Sequence, residues 1–395
     1  MAKPLKPLFG VDLFFSQGLY QVYQKYKVAL LCNQASLDET FTPTFIRFKQ
    51  AFGKNFRLIF SPQHGLYSEK QANMIGSYDE VEPFTQTPVI SLYGPRLEPE
   101  PCHLEDIDVV FVDLQEVGCR VYTYIWTMFL LLKVCFNLGK KVVVLDRPNP
   151  IGGKIEGPYL EEDFRSFVGL DPLPLRHGLT IGELALLFKK RHFLGLDLEV
   201  VPVKGYRKSL LWKELGRPWV LPSPNLPSWW CSLVYPGQVL LEGTNLSEGR
   251  GTTLPFLVFG APYLRIEKVL HFWEKLDFSE KNYVVLRPFV FEPTFDKWKG
   301  SRCFGFQLYV KDPVRFQPVK TTLILLRFIK ESFSEFDFSN VPYEFEEKKR
   351  PIDILVGSKP VLDWLEGKKE IDLDFYLYYN LKNYQEEIAS ILMYE

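Results

Sequence analysis

What the chain has little of narrows its chemistry before any single residue is weighed. It has no surplus charge of either sign: 47 Lys and Arg stand against 48 Asp and Glu, a formal net charge of -1. No global field therefore draws it to nucleic acid or to an anionic membrane surface, and any ligand has to be recognised locally. No apolar run reaches bilayer length, and the opening "MAKPLKPLFGVD" carries lysines without the apolar core of a secretory signal. The expected compartment is cytoplasmic, or periplasmic or extracellular if the chain is a mature form. The cysteines, Cys32, Cys102, Cys119, Cys135, Cys231 and Cys303, make no C-x-x-C pair and no Cys/His cluster of zinc spacing, so they read as reduced, buried thiols and no metal is expected. Phosphate-cradling motifs are missing too. There is no G-x-G-x-x-G, no G-x-x-x-x-G-K-[ST] and no G-x-S-x-G elbow, which favours chemistry without a nucleotide cofactor and without a serine nucleophile.

What is present is a series of continuous apolar runs. They begin at Val28, Phe56, Pro88, Asp108, Lys141 and Leu198 and are rich in Val, Ile, Leu and Phe without alternation, as strands buried on both faces are. Helical segments lie between several of them. "TYIWTMFLLLKVCFNLG" runs from Thr123 to a C-cap glycine, Gly139, and Thr180 with Glu183 has the spacing of a capping box. Strand and helix alternating in this way predict a Rossmann-like, doubly wound and mostly parallel α/β sheet over residues 1–230. From about residue 231 to 395 the texture changes to shorter runs, such as "CFGFQLYV" from Cys303, mixed with "TTLILLRFIKESF" from Thr321. That predicts a smaller α+β domain contributing to a cleft. Aromatic residues make up 15% of the chain, enough to line a sugar cleft, although a large core is the more general use of Phe and Tyr.

In open α/β sheets the ligand crevice lies beyond the carboxyl ends of the strands. Here those positions carry "FSPQHG" after the run from Phe56, "DLQEVGCRVYTY" after that from Asp108, "DRPNPIGG" after that from Lys141, and "LPSPNLP" after "WV" at Trp219. They offer acids, amides, arginines and an imidazole: Gln63, His64, Glu116, Arg120, Tyr122, Asp146, Arg147, Asn149 and Asn225, joined from outside these loops by His177 and, further on, by Asn245, Glu248 and Arg250. Paired carboxylates among hydroxyl-binding amides and arginines are what glycoside hydrolysis needs, because one group protonates the leaving oxygen and another stabilises or attacks the sugar cation. Plainer roles compete. Asp113 and Asp146 end buried strands and can accept loop N–H groups, Arg120 and Arg147 can be their structural partners, His177 can be a satisfied loop histidine, and Glu183 suits a cap.

Together "DLQEVGCRVYTYIWTM", "VLDRPNPIGGKIEGP", "SFVGLDPLPLRHGLTIGELA", "PSPNLP" and "YPGQVLLEGTNLSEGRGTTLPF" resemble the NamZ family of exo-β-N-acetylmuramidases. The resemblance is specific down to about Pro262 and loose beyond it. It implies a Rossmann-like domain with a smaller domain over the cleft, no cofactor, and removal of N-acetylmuramic acid from the non-reducing ends of peptidoglycan fragments during wall recycling. The lactyl carboxylate of such a sugar would partner Arg147 or Arg250, and its acetamido and hydroxyl groups would suit Asn149, Asn225 and Asn245.

One motif departs from the family. Where its members usually read Phe-Ser-Pro-Glu-His-Gly, with that Glu a presumed catalytic acid, this chain has Gln63, and Tyr67 and Ser68 replace the Arg-Gly pair that follows. Three expectations are compatible with an amide there: another acid, such as Glu69, Glu116 or Glu248, takes the role; Gln63 orients a substrate acetamide that assists from within; or the protein binds wall sugars without cutting them.

Overall fold

The computed structural model describes residues 6–72, 74–277 and 279–395. The apolar runs form strands where continuous Val, Ile, Leu and Phe predict them: β1 (Val28–Cys32), β2 (Phe56–Ser61), β3 (Glu80–Val81), β4 (Pro88–Ser91), β5 (Val109–Asp113), β6 (Lys141–Leu145), β7 (Glu156–Tyr159), β8 (Pro174–Arg176) and β9 (Leu198–Val201). Seven of them make one sheet in the order β3-β4-β2-β1-β5-β6-β9. All neighbours pair in parallel except the short edge strand β3, which runs antiparallel to β4. Every residue of β1 and β5 is buried, as expected of central strands covered on both faces. From β1 the chain winds outward through β2 and β4 on one side, and from β5 through β6 and β9 on the other. The loops after β1 and β5 therefore diverge at a topological switch point.

The helices follow the sequence signals closely. Tyr124–Asn137 is apolar nearly all round because it is sunk into the core, and it ends before Gly139, whose φ of 63° suits glycine. Ile181–His192 opens on the expected capping box, the Thr180 hydroxyl accepting from Glu183 N at 3.2 Å and the Glu183 carboxylate from Thr180 N at 3.0 Å. One expectation fails: the run at Trp219 is extended loop and not a strand, because it pairs with no neighbouring backbone and is held instead by the Trp219 indole donating to Leu226 O.

The second unit carries an antiparallel three-stranded sheet, β10 (Val258–Ala261), β11 (Val284–Phe291) and β12 (Cys303–Val310), in the order β10-β12-β11. Helix Trp229–Gln238 packs on helix Pro318–Ser332 so closely that a Cβ on Gly237 would lie 2.0 Å from Pro318 O. The fold class is thus the predicted one, a mostly parallel doubly wound sheet with a smaller α+β unit. The two units share one continuous apolar core. The cysteines form no disulfide among the described residues; all are buried except the exposed Cys102.

A candidate active site in the interdomain cleft

The loop after β2 begins the site. It leaves the sheet through Ser61 and Pro62, and His64 then takes a left-handed φ of 74°, uncommon for a side chain with a Cβ. That turn is fixed on several sides. The Tyr124 hydroxyl donates to Gln63 O at 3.1 Å and to Pro222 O at 2.7 Å, Ser68 donates to Pro222 O, and Asn225 Nδ2 donates to Gln71 O. The loop is therefore sewn to the start of helix Tyr124–Asn137 and to the segment 222–225. The Gln63 side chain, buried, accepts from the Thr123 hydroxyl at 2.6 Å and donates through Nε2 to Glu344 Oε1 at 3.0 Å.

Glu344 comes from the far end of the second unit, on a strap in which Glu344 and Phe345 both hold positive φ, 47° and 65°. Left-handed backbone costs a residue with a Cβ about 1–2 kcal/mol, so a packed surrounding has to hold the strap in place. Tyr93 supplies part of that hold: its hydroxyl donates to Glu344 Oε2 at 2.7 Å and its ring packs on Phe345. Burial raises the Glu344 carboxyl to about 7, against the lowering effect of the Tyr93 and Gln63 hydrogen bonds.

Gln63, Thr123 and Glu344 line a small inner chamber of about 20 Å³ together with His64, Tyr122, Tyr235, Asn225, Glu242, Arg250 and Tyr343. That is room for about one water. Glu242, Arg250 and Tyr343 also form the wall of an outer cleft of about 700 Å³, lined further by Asn245, Glu248, Lys297 and Trp298. The outer cleft has the size of a small-ligand site. Charges are concentrated on the common wall. Arg250 donates to Glu242 Oε1 at 2.7 Å and lies 3.4 Å from Glu248, which Lys297 approaches to 2.9 Å; the Tyr343 hydroxyl donates to the other Glu242 oxygen. Burial alone would raise the Glu248 carboxyl, but Lys297 and Arg250 outweigh it and hold the group below the usual range. The buried Arg250 Nη1 has no hydrogen-bond partner among the described residues. Burial pushes His64 down to about 4; its Nδ1 faces Lys70 O at 2.7 Å, an acceptor only, so the proton of the neutral ring sits on Nδ1 and Nε2 carries the lone pair.

Both halves of the chain match family models, the N-terminal domain of the exo-β-N-acetylmuramidase NamZ over residues 28–230 and its C-terminal domain over 233–394. The chain belongs to the NamZ family. It is 40% identical over 340 residues to the peptidoglycan β-N-acetylmuramidase NamZ of Bacillus subtilis (strain 168), spanning 85% of this chain and 81% of the relative. Two crystal structures of DUF1343 family proteins from Bacteroides fragilis NCTC 9343 superpose along nearly the whole length. The first has a TM-score of 0.86 at 26% identity, covering 100% of both chains. The second has a TM-score of 0.76 at 24% identity, covering 99% of both, and speaks for the fold alone.

Within this NamZ chain the structure gathers some of the sequence candidates and disperses others. Gln63, His64, Tyr122, Asn225 and Arg250 line the inner chamber, and Asn245, Glu248 and Arg250 the outer cleft. The rest touch neither. Glu116 is buried beside His177, its Oε2 accepting from Gly118 N and lying 3.2 Å from His177 Nε2, while His177 Nδ1 accepts from Leu179 N. Arg120 is wholly buried and donates to the carbonyls of Pro158, Leu173, Leu355 and Val356, a staple between the two units. Asp146 accepts from Arg147 N, Gly182 N, Thr180 and Tyr394. Arg147 grips Asp113 with two nitrogens, at 2.5 and 2.9 Å, and borders a separate cavity of about 210 Å³ beneath the N-terminal segment. Asn149 closes its own turn between Leu179 O and Ile151 N. Glu69 lies over Gly65, half-exposed, and lines neither cavity. The carboxylates that sequence reasoning passed over are Glu242, Asp296 and Glu344. Glu344 lies 281 residues from the amide it touches, in the region where the family resemblance is loose, and no spacing rule connects the two.

Proposed function

We propose that this chain is an exo-acting glycoside hydrolase that removes N-acetylmuramic acid from the non-reducing ends of peptidoglycan fragments. Membership of the NamZ family supports the reaction class. The observation that carries the reading is the size and charge of the interdomain cleft: an outer cavity of about 700 Å³ whose wall of Glu242, Arg250 and Tyr343 it shares with a chamber of about 20 Å³. The exo mode is carried by the family, whose models are those of an exo-β-N-acetylmuramidase.

The wall also suits this sugar. Arg250 is charged, buried, and has a nitrogen with no partner among the described residues, which fits a carboxylate such as the lactyl group better than a neutral hydroxyl. Asn225 lines the chamber and Asn245 the outer cleft, but the Nδ2 of each donates to a backbone carbonyl, of Gln71 and Glu335, so Arg250 carries the assignment.

The test is hydrolysis of a chromogenic β-N-acetylmuramide against the matching β-N-acetylglucosaminide, which lacks the lactyl carboxylate. The muramide should be cut with a kcat/KM at least about 100-fold higher, the discrimination expected when a built polar contact is left unfilled. Arg250→Lys, which keeps the charge beside Glu242 and Glu248 but loses the planar fork, should raise KM for the muramide about 10-fold or more and leave the glucosaminide nearly unchanged. Equal cleavage of both sugars would remove the lactyl assignment; binding of the muramide without turnover would turn the protein into a wall-sugar receptor.

A further inference from the structure

Four carboxylates line the two neighbouring cavities; Asp296 is exposed in the outer cleft, and the partners of the other three, all buried, sort them. Glu242 is ion-paired to Arg250 and accepts from Tyr343, and Glu248 lies between Lys297 and Arg250. Both face cationic side chains, which suits stabilising a cationic sugar centre better than delivering a proton. Glu344 differs. Its oxygens meet only neutral donors, Gln63 Nε2 at 3.0 Å and the Tyr93 hydroxyl at 2.7 Å, and no ammonium or guanidinium is within ion-pairing distance among the described residues. It is buried, it lines the chamber, and a left-handed backbone aims it there.

We propose that Glu344 is the proton donor of glycosidic cleavage in this chain and that Gln63 is its positioning amide. The inference rests on the muramidase reading above. Gln63 cannot exchange a proton, but the Thr123 hydroxyl occupies its carbonyl oxygen and so turns its NH₂ toward Glu344. The acid the family is expected to carry at position 63 is thus supplied from the second unit.

The step balances. The Glu344 proton moves to the glycosidic oxygen as the C1–O bond breaks, the bonding pair stays on that oxygen, and the remainder of the glycan leaves as an alcohol. The anion of Glu242 stabilises the cationic C1. Water then adds through its oxygen to C1 and yields its proton to the Glu344 carboxylate, which restores the acid. One residue serves both halves, so the product keeps the anomeric configuration of the substrate.

The charged and titratable groups around Glu344 are Glu242 and Arg250 on the common wall, Tyr93 beyond β4, Tyr343 on the same strap, and His64 on the loop after β2. With the donor raised to about 7, activity should fall as pH rises past neutrality.

The experiment compares wild type and Glu344→Gln on a muramyl disaccharide, whose leaving group needs protonation, and on a nitrophenyl muramide, whose leaving group does not. The variant should lose about 100-fold or more in kcat on the disaccharide and far less on the nitrophenyl glycoside. The alkaline limb near pH 7 should vanish, and the Kd for free N-acetylmuramic acid should hold within about threefold. Equal losses on both substrates, a surviving alkaline limb, or lost sugar binding would each overturn the proposal. If wild type cuts neither muramide, the substrate reading falls. Glu344 is then judged by the carbonyl band in the infrared difference between wild type and Glu344→Gln: loss of that band near pH 7 supports it, and loss at the ordinary carboxyl pH overturns it.

Discussion

At the scale of single residues, the amide at position 63 matters through what it touches. A carboxyl placed there by Gln63→Glu would stand against Glu344, where Nε2 now lies 3.0 Å away. Two carboxyls in such contact do not ionise independently: the first proton leaves more easily and the second less easily than from either alone. The Gln63→Glu variant should therefore keep a proton on the pair to higher pH, moving the alkaline limb of kcat/KM up by about one pH unit or more. A pH–rate profile of both proteins on the same disaccharide checks this. A limb that stays in place would mean that the two side chains do not share a proton during turnover.

At the scale of elements, the site depends on how the last third of the chain docks. Arg120 sits at the start of the segment that leads into helix Tyr124–Asn137 and donates to Pro158 O and Leu173 O on its own side and to Leu355 O and Val356 O at the end of helix Pro351–Val356. Its nitrogens go to backbone carbonyls, whereas the sequence offered it as a substrate contact or as the structural partner of an aspartate. Arg120→Met keeps much of the bulk but leaves these buried carbonyls unsatisfied, at about 1–3 kcal/mol for each that water cannot reach. The expected loss is about 3 kcal/mol or more in denaturant unfolding. At a temperature where the variant is folded, KM should stay near the wild-type value, because Arg120 lines neither cavity. A raised KM with unchanged stability would return Arg120 to the binding site.

At the scale of the whole molecule, Glu344 links the site to stability. Its folded value of about 7 lies above the ordinary 4.5, so between those values the folded protein holds a proton that the unfolded chain has released. Folding stability must then fall as pH rises through that window and stay lower above it, by at most about 3 kcal/mol for this group. Glu344→Gln removes the titration. The stability difference between variant and wild type should shift in the variant's favour from pH 5 to pH 8, and parallel denaturant curves at both pH values would show no shift if the carboxyl titrates in its usual range.

The architecture was largely legible in the residues because strand burial and helix capping are local matters. The runs at Val28 and Val109 are apolar throughout since both faces are covered, and Thr180 with Glu183 marks a helix start through bonds that span three residues. Where no neighbour pairs with the backbone, as at Trp219, the same reasoning misplaced an element. The site was legible only in part. Strand-end logic found Gln63, His64 and Tyr122, and the run of Gly, Ser and Asn near Arg250 found Asn245, Glu248 and Arg250 itself. The same logic gathered Glu116, Asp146, Arg147, Asn149 and His177, which end strands and close turns but turn their polar atoms to protein.

Sequence by itself determined the sheet, its helices, the family and the absence of a carboxyl at position 63, because each of these is written in neighbouring residues. Tertiary structure alone decided which carboxylates meet. Glu344 reaches Gln63 across 281 residues through a strap whose conformation is set by packing against Tyr93, and nothing in the spacing of "PYEFEE" announces that contact. Burial is likewise a property of the assembled core, and it is burial that keeps a proton on Glu344 close to neutral pH.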